Sequence, residues 1–154
     1  MFWGCISGKY AKGPGFFWEK RWGSITGSTY RERTLPVVQD YMDSHPGLYF
    51  QQDNAKPHAA AETSFAFMCA GIRVIKWPPF SLDLNPIEKV WDWLKDNIEA
   101  IDSKIHSSYP RLRKAIQQAW EAIGNDRILE LVSGVSIRAR CQAVIDAKGM
   151  NTKY

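Results

Sequence analysis

The sequence has no apolar run approaching the roughly 18 residues that cross a bilayer as a helix, so a helical membrane span is not expected. Its opening stretch, Met1 to Ser7, is apolar, but it has no basic n-region and soon meets Gly8, Lys9 and Lys12; it does not read as a signal peptide. Cysteine is scarce. Cys5, Cys69 and Cys141 are odd in number, far apart and without paired spacing, which suits buried thiols in a reducing compartment better than disulfides or a zinc site. Internal repeats and low-complexity tracts are also lacking. What the chain does have is 45% hydrophobic content with seven Trp, seven Phe and six Tyr, the composition of a globular protein. Its 154 residues suffice for one domain with a real core. The formal net charge of +4 and pI near 9.0 suit nucleic-acid contact without deciding for it, because many cytosolic proteins share them.

Periodicity orders the chain as mixed α/β. Phe2 to Ser7 reads as a strand, Gly8 to Gly15 as a hairpin loop around Pro14, and Phe16 to Trp18 as a second strand. From Ser28 to Ser44 apolar positions recur at helical spacing, with Pro36 marking a start or a kink. Leu48 to Phe50 forms a short strand running into Gln51-Gln52-Asp53. A helix over Ala59 to Ala70, closed by Gly71, leads to a strand over Ile72 to Trp77 that Pro78-Pro79 ends. Asn85-Pro86 then opens a strong helix with Asn at the N-cap and Pro at the first position. From Ser107 onward two or three further helices follow, including Leu112 to Ile123 and Asp126 to Leu131. This order is a hairpin followed by a βαβ unit, and ligands in such sheets bind at the carboxyl ends of strands, where Asp53 lies.

Three groups are candidates for chemistry: Asp53, His58 and Glu88. A carboxylate leaving a strand end and another in the first turn of a helix can share a divalent ion, and oxygen ligands suit Mg²⁺. Each also has a plain structural reading. Asp53-Asn54 after a strand is an Asx turn when read alone, and Glu88 three residues after Asn85 resembles a capping box. His58 beside Pro57 reads as a loop residue. Trp77, Trp91 and Trp93 read as packing residues, and Arg111, Arg113, Lys114, Arg138 and Arg140 as solvated helix faces.

Taken jointly, two motifs are far more specific. Gln51-Gln-Asp-Asn-Ala-Lys-Pro-His58 and Trp77-Pro-Pro-Phe-Ser-Leu-Asp-Leu-Asn-Pro-Ile-Glu-Lys-Val-Trp91 closely resemble the signature of mariner-superfamily (Tc/mariner-like) DDE transposases. In the Glu branch of that superfamily 34 residues separate the second Asp from the Glu, as between Asp53 and Glu88 here. The tail from Ser136 to Tyr154 also looks like the usual end of these proteins.

The resemblance implies a ribonuclease-H-like mixed sheet flanked by helices, with residues 1–100 as the endonuclease core and 101–154 as a helical extension of the same domain. It implies Asp53 and Glu88 as catalytic metal ligands, with Asn54 and His58 in the neighbouring shell. The cofactor would be two Mg²⁺ (or Mn²⁺) ions and the chemistry DNA cleavage and strand transfer in cut-and-paste transposition. The implied partners are transposon ends and target DNA, with no membrane and a homodimer in the complete protein; the implied location is nuclear in a eukaryote and cytoplasmic otherwise.

Two departures stand out. Leu82 replaces the family's proline in the Ser81-to-Pro86 turn, which loosens the turn but leaves Glu88 in place. The family's first catalytic Asp lies on a central strand before the Phe2 strand, and Met1 begins too late to include it. Asp40 and Asp43 fall in a helical segment and are no substitutes. The helix-turn-helix domains that read transposon ends also have no counterpart here. The expectation is therefore an N-terminally truncated domain, lacking its first strand, marginally folded and inactive as this polypeptide. The alternatives are a non-catalytic transposon remnant, a domain recruited for DNA or protein binding, or a start codon lying further upstream.

Overall fold

The computed structural model describes residues 1–101, 108–150, 152 and 154. The expected onset of the tail helices at Ser107, the start of the 101–154 extension, and Asn151 and Lys153 of the tail motif lie outside the described residues. The described chain is α/β, with a two-stranded antiparallel sheet and, among the described residues, seven α-helices. It divides into two compact units, Met1 with residues 18–82, and residues 2–17 with 83–154. No helix among the described residues is long and apolar enough to cross a membrane.

In the first unit, α1 (Gly27–Ser44) opens on a capping box in which Thr26 and Thr29 exchange side-chain and backbone hydrogen bonds. Pro36 neither starts nor ends it. The buried stripe Tyr30, Thr34 and Val38, spaced four apart, holds the helix through the one backbone bond that proline removes. Lys56–Ala59 forms a single turn, α2, and Ala61–Cys69 forms α3, which Gly71 closes at φ +71°, a conformation that favours glycine. The helix expected over Ala59 to Ala70 is thus shorter and preceded by a separate turn. Thr63, fully buried, fastens the pieces: its hydroxyl donates to Pro57 O at 2.8 Å and accepts from Arg31 Nη1 at 3.2 Å.

The two strands expected on either side of α3 shrink to one parallel bridge, Phe50 to Val74. Its bonds run from Phe50 N to Arg73 O at 2.9 Å and from Ile75 N to Phe50 O at 2.7 Å. The direction agrees with the expected βαβ connection, and the extent does not. Parallel strands persist where both faces are covered, whereas Val74 and Ile75 are 39% and 41% exposed.

The second unit is built on the hairpin β1 (Phe2–Ser7) and β2 (Ala11–Phe17). The loop is shorter than the sequence implied, because β2 begins at Ala11 rather than Phe16. Pro14 is tolerated because the register shifts there: Gly4 pairs with Gly15 and Ile6 with Lys12, so one residue of β1 faces two of β2 in a bulge. α4 (Ile87–Ile101), α5 (Tyr109–Ala122), α6 (Asn125–Leu131) and α7 (Gly134–Asp146) complete the unit. Val90, Leu94 and Ile98 of α4 meet Ala115, Ala119 and Trp120 of α5 in a core that also buries Ala11, Ile123 and Ile128. Gly4 admits two indoles: a Cβ there would lie 3.0 Å from Trp120 and 3.3 Å from Trp91. Trp91 and Trp120 stack at 5.8 Å, and Phe2 meets both edge-on. Lys12 reaches the last turn of α5, its ammonium donating to Trp120 O at 2.8 Å and Glu121 O at 2.9 Å, where a cation offsets the helix dipole.

Two expectations about side chains are corrected here. Arg140 is no solvated residue. It is 3% exposed, donates from Nη1 to Asp83 O at 2.9 Å and lies over the Tyr154 ring. Burial lowers its pKa from the ordinary guanidinium value. Of the cysteines, Cys69 and Cys141 are exposed. Cys5 alone is an enclosed thiol, against Pro14 O, and its pKa is pushed up to about 12 by burial.

Candidate active site

Asp53 follows the Phe50 bridge by three residues, at the carboxyl end of the first unit's parallel pair. Its Oδ1 accepts two hydrogen bonds, from Ala55 N–H at 3.0 Å and from His58 Nδ1 at 2.5 Å. The first is the Asx turn that the local sequence implied. The second was not legible as a contact in the sequence. The carboxylate oxygen accepts, so Nδ1 is the donor. The Asp53 side chain remains 44% exposed, and its Oδ2 carries neither bond.

His58 lies in α2 rather than in a loop, because Pro57 suits the first turn of a helix. Its ring is held from behind by Tyr30 of α1 at a centroid distance of 4.3 Å. Tyr30 is 2% exposed, and its hydroxyl donates to Gln52 Oε1 at 2.8 Å. Gln52 Nε2 in turn donates to His58 O at 3.4 Å, which closes a ring of contacts around the residue next to Asp53. Phe67, fully buried, stacks on Phe50 at 5.3 Å with 4° between the planes. Tyr30 and Gln52 are supporting residues that sequence reasoning missed; the only signal was the adjacency of Gln52 to Asp53.

Asn54 acts outward from the same loop. Its Nδ2 donates to Trp77 O at 2.9 Å and Pro78 O at 3.0 Å, joining the first motif to the start of the second. The structure thus brings Asp53, Asn54 and His58 together within the first unit.

Glu88 belongs to the second unit, in the first turn of α4. The helix is assigned from Ile87, and the Asn85 carbonyl accepts from Glu88 N–H at 3.2 Å. The side-chain contact is Asn85 Nδ2 to Glu88 Oε1, at 3.5 Å the outer limit of a hydrogen bond. Asn85 is 6% exposed and its Oδ1 has no partner among the described residues, a costly arrangement for a buried amide. Asp83 fixes the approach to this turn, with Oδ2 accepting from Thr152 N–H at 2.6 Å while its carbonyl receives Arg140. The Thr152 hydrogen bonds hold the Asp83 carboxyl below the usual carboxylate range. Among the described residues no three His, Cys, Asp or Glu side chains cluster as metal ligands.

Residues 24–130 match the profile of the DDE superfamily endonuclease family. The chain belongs to that family, as a Tc/mariner-like transposase domain. It is 37% identical to the transposable element Tc1 transposase of Caenorhabditis elegans over 108 residues, covering 70% of this chain and 38% of that protein. It is 30% identical to the Tcb1 transposase of Caenorhabditis briggsae over 157 residues and 32% identical to the Tcb2 transposase over 158 residues. Those two alignments cover all of this domain and 54% of each relative. The chain thus spans about half the length, or less, of these curated relatives. The matched region contains both motifs and both carboxylates.

Proposed function

We propose that this domain is the endonuclease part of a cut-and-paste DNA transposase, with Asp53 and Glu88 as metal-binding carboxylates and Asn54 and His58 as their supports. The observation that carries the reading is the Asp53 carboxylate: half-exposed, with both hydrogen bonds on Oδ1 and Oδ2 left to accept a ligand. Membership in the endonuclease family supplies the reaction class.

The donor set fits a hard divalent cation, because both groups offer carboxylate oxygen and neither lies among thiols. Mg²⁺ or Mn²⁺ bound there, two ions in the complete site, would supply Lewis-acid stabilisation of a phosphoryl displacement. The chain's own residues do the positioning. His58 holds Oδ1 and thereby fixes the carboxylate plane; Tyr30 packs against His58; Gln52 ties that ring of contacts to the backbone. Asn54 keeps the Trp77–Pro78 segment beside the Asp53 loop.

In this reading the segments around Phe50 and Val74 are two strands of a ribonuclease-H-like sheet, residues 1–100 being the core and 101–154 its helical extension. Its substrates are transposon ends and target DNA, the complete protein is a homodimer, and the enzyme works in the nucleus if the host is eukaryotic and in the cytoplasm otherwise. Residues 1–154 include no counterpart of the family's first catalytic Asp, so a polypeptide of these residues is expected to bind DNA in a salt-dependent way and not to cut it. Nicking of supercoiled plasmid in Mg²⁺ tests this. Turnover that vanishes in Asp53→Asn would show that two carboxylates suffice. Absence of turnover with Mn²⁺ affinity lowered about 10-fold or more in Asp53→Asn and Glu88→Gln would establish the metal role alone. A second reading is a non-catalytic DNA-binding descendant. It requires metal affinity to be indifferent to both substitutions.

A further inference from the structure

Phe80 has a surroundings unlike any other aromatic residue of the chain. Its side chain is 105% exposed, the full extent of its reference state, while its backbone has φ +53°, a conformation that favours glycine. Among the described residues no protein packing covers this bulky apolar side chain. The stalk that carries it is stiff: Pro78 and Pro79 have fixed φ, and Trp77 is half-buried. The stalk is also anchored, since the Asn54 amide grips the carbonyls of Trp77 and Pro78, two and three residues before Phe80, and Asn54 adjoins Asp53. Lys76, an exposed cation, lies four residues before Phe80 on the same segment, while Arg73 is engaged with the Tyr49 ring and hydroxyl. An aromatic face on a rigid arm, fixed to the loop of the carboxylate proposed above to act on phosphodiesters, matches the chemistry of an unpaired nucleobase.

We propose that Phe80 is a stacking platform for an unpaired DNA base beside the Asp53 loop. It recognises the π-face of the base and not its edge, so it reads strand separation rather than sequence. This rests on the DNA-processing reading given above. Preorganisation on the two prolines reduces the ordering cost of the contact, and the ring is not part of the carboxylate machinery.

The test compares two duplexes binding to the 154-residue chain: one blunt, one ending in a short single-stranded tail that carries 2-aminopurine. The wild type is expected to prefer the tailed duplex and to quench the 2-aminopurine on binding. Phe80→Ala should lose about 10-fold in affinity for the tailed duplex, about 1.4 kcal/mol, with the quenching lost and blunt-duplex binding unchanged. Phe80→Trp should restore both. Because the side chain is fully exposed, unchanged thermal melting of the variants is expected and confirms that they are folded. Equal preference for the tailed duplex and equal quenching in Phe80→Ala overturn the proposal while leaving the DNA-processing reading intact. So does a loss of self-association in Phe80→Ala by sedimentation without a change in that preference, which assigns the ring to a second copy of the chain. Failure of the wild type to bind either duplex overturns the underlying reading and this proposal with it.

Discussion

Asp53 and Glu88 are presented by two different kinds of scaffold. Asp53 emerges from a loop in a unit whose strand pairing, among the described residues, is the Phe50–Val74 bridge, and its conformation depends on a side-chain hydrogen bond to His58 and on the Tyr30–Gln52 ring of contacts. Glu88 stands in the first turn of a long amphipathic helix whose Val90, Leu94 and Ile98 are set in an aromatic and aliphatic core. A helix docked by three buried side chains holds its first turn through backbone geometry, whatever that turn's side chains do. A loop held by polar contacts is as rigid as its network is complete. The Asp53 position is therefore the more sensitive to loss of a neighbour, and the Glu88 position the more sensitive to anything that moves the end of the helix.

The largest expected effect breaks the comparison on the Asp53 side. Phe67 is fully buried and stacks on Phe50, whose backbone makes the bridge, and on Tyr30, which backs His58. Phe67→Ala should cost about 3–5 kcal/mol and should be felt mainly in the first unit. In hydrogen exchange, protection at Phe50 and Ile75 N–H should fall steeply while the amides of α4 and α5 keep theirs. Uniform loss across both units would show that they melt as one and that the contrast has no energetic content.

A smaller effect is expected on the Glu88 side. Arg140 ties α7 to the Asp83 carbonyl and carries the Tyr154 ring, so Arg140→Ala should destabilise by about 2 kcal/mol, the range for a charged hydrogen bond removed from a buried site. Arg138, exposed on the same helix, is the control: its alanine variant should stay within about 0.5 kcal/mol of wild type in urea unfolding. Equal effects at the two arginines would return Arg140 to the solvated face that the sequence implied.

That pair of arginines shows where sequence reading ends. The helical pattern of α4 was legible because its apolar spacing and the Asn85-Pro86 start agree, and the hairpin and the parallel connection through α3 were legible from alternation and order. Burial of Arg140 was not, since nothing in Ile137 to Gln142 distinguishes one arginine from the other until Thr152 meets Asp83 and Tyr154 meets Arg140. At the candidate site, the motif marks Asp53, Asn54 and His58, but not the partners that give each a job. Local rules assigned Asp53 only its Asx turn, which does form, beside the His58 bond. Tyr30 entered the site from 22 residues away, a distance at which only packing decides. The failures of extent, the short bridge and the early start of β2, both concern backbone pairing, which depends on coverage and register rather than on the residues of one strand.

The smallest effect sharpens the comparison through acid. Asp83 precedes Glu88 by five residues, and its carboxylate takes the Thr152 N–H at 2.6 Å, which holds its pKa below the ordinary value of 3.8. A carboxyl depressed in the folded state contributes stability that is fully present above its unfolded value. That contribution is lost as the pH falls through the lower folded value, because protonation then removes the acceptor. Between neutral pH and about 5 this group should therefore leave stability unchanged, and below its ordinary value it should add to acid destabilisation. Asp83→Asn should flatten that last portion of the acid limb and expose the Thr152 amide to exchange at all pH values, while leaving exchange at Phe50 and Ile75 N–H as in wild type. The carboxylate is exposed, so the effect is small. An acid limb identical in wild type and Asp83→Asn would mean that the tail does not secure the turn before Glu88, and that α4 alone carries it.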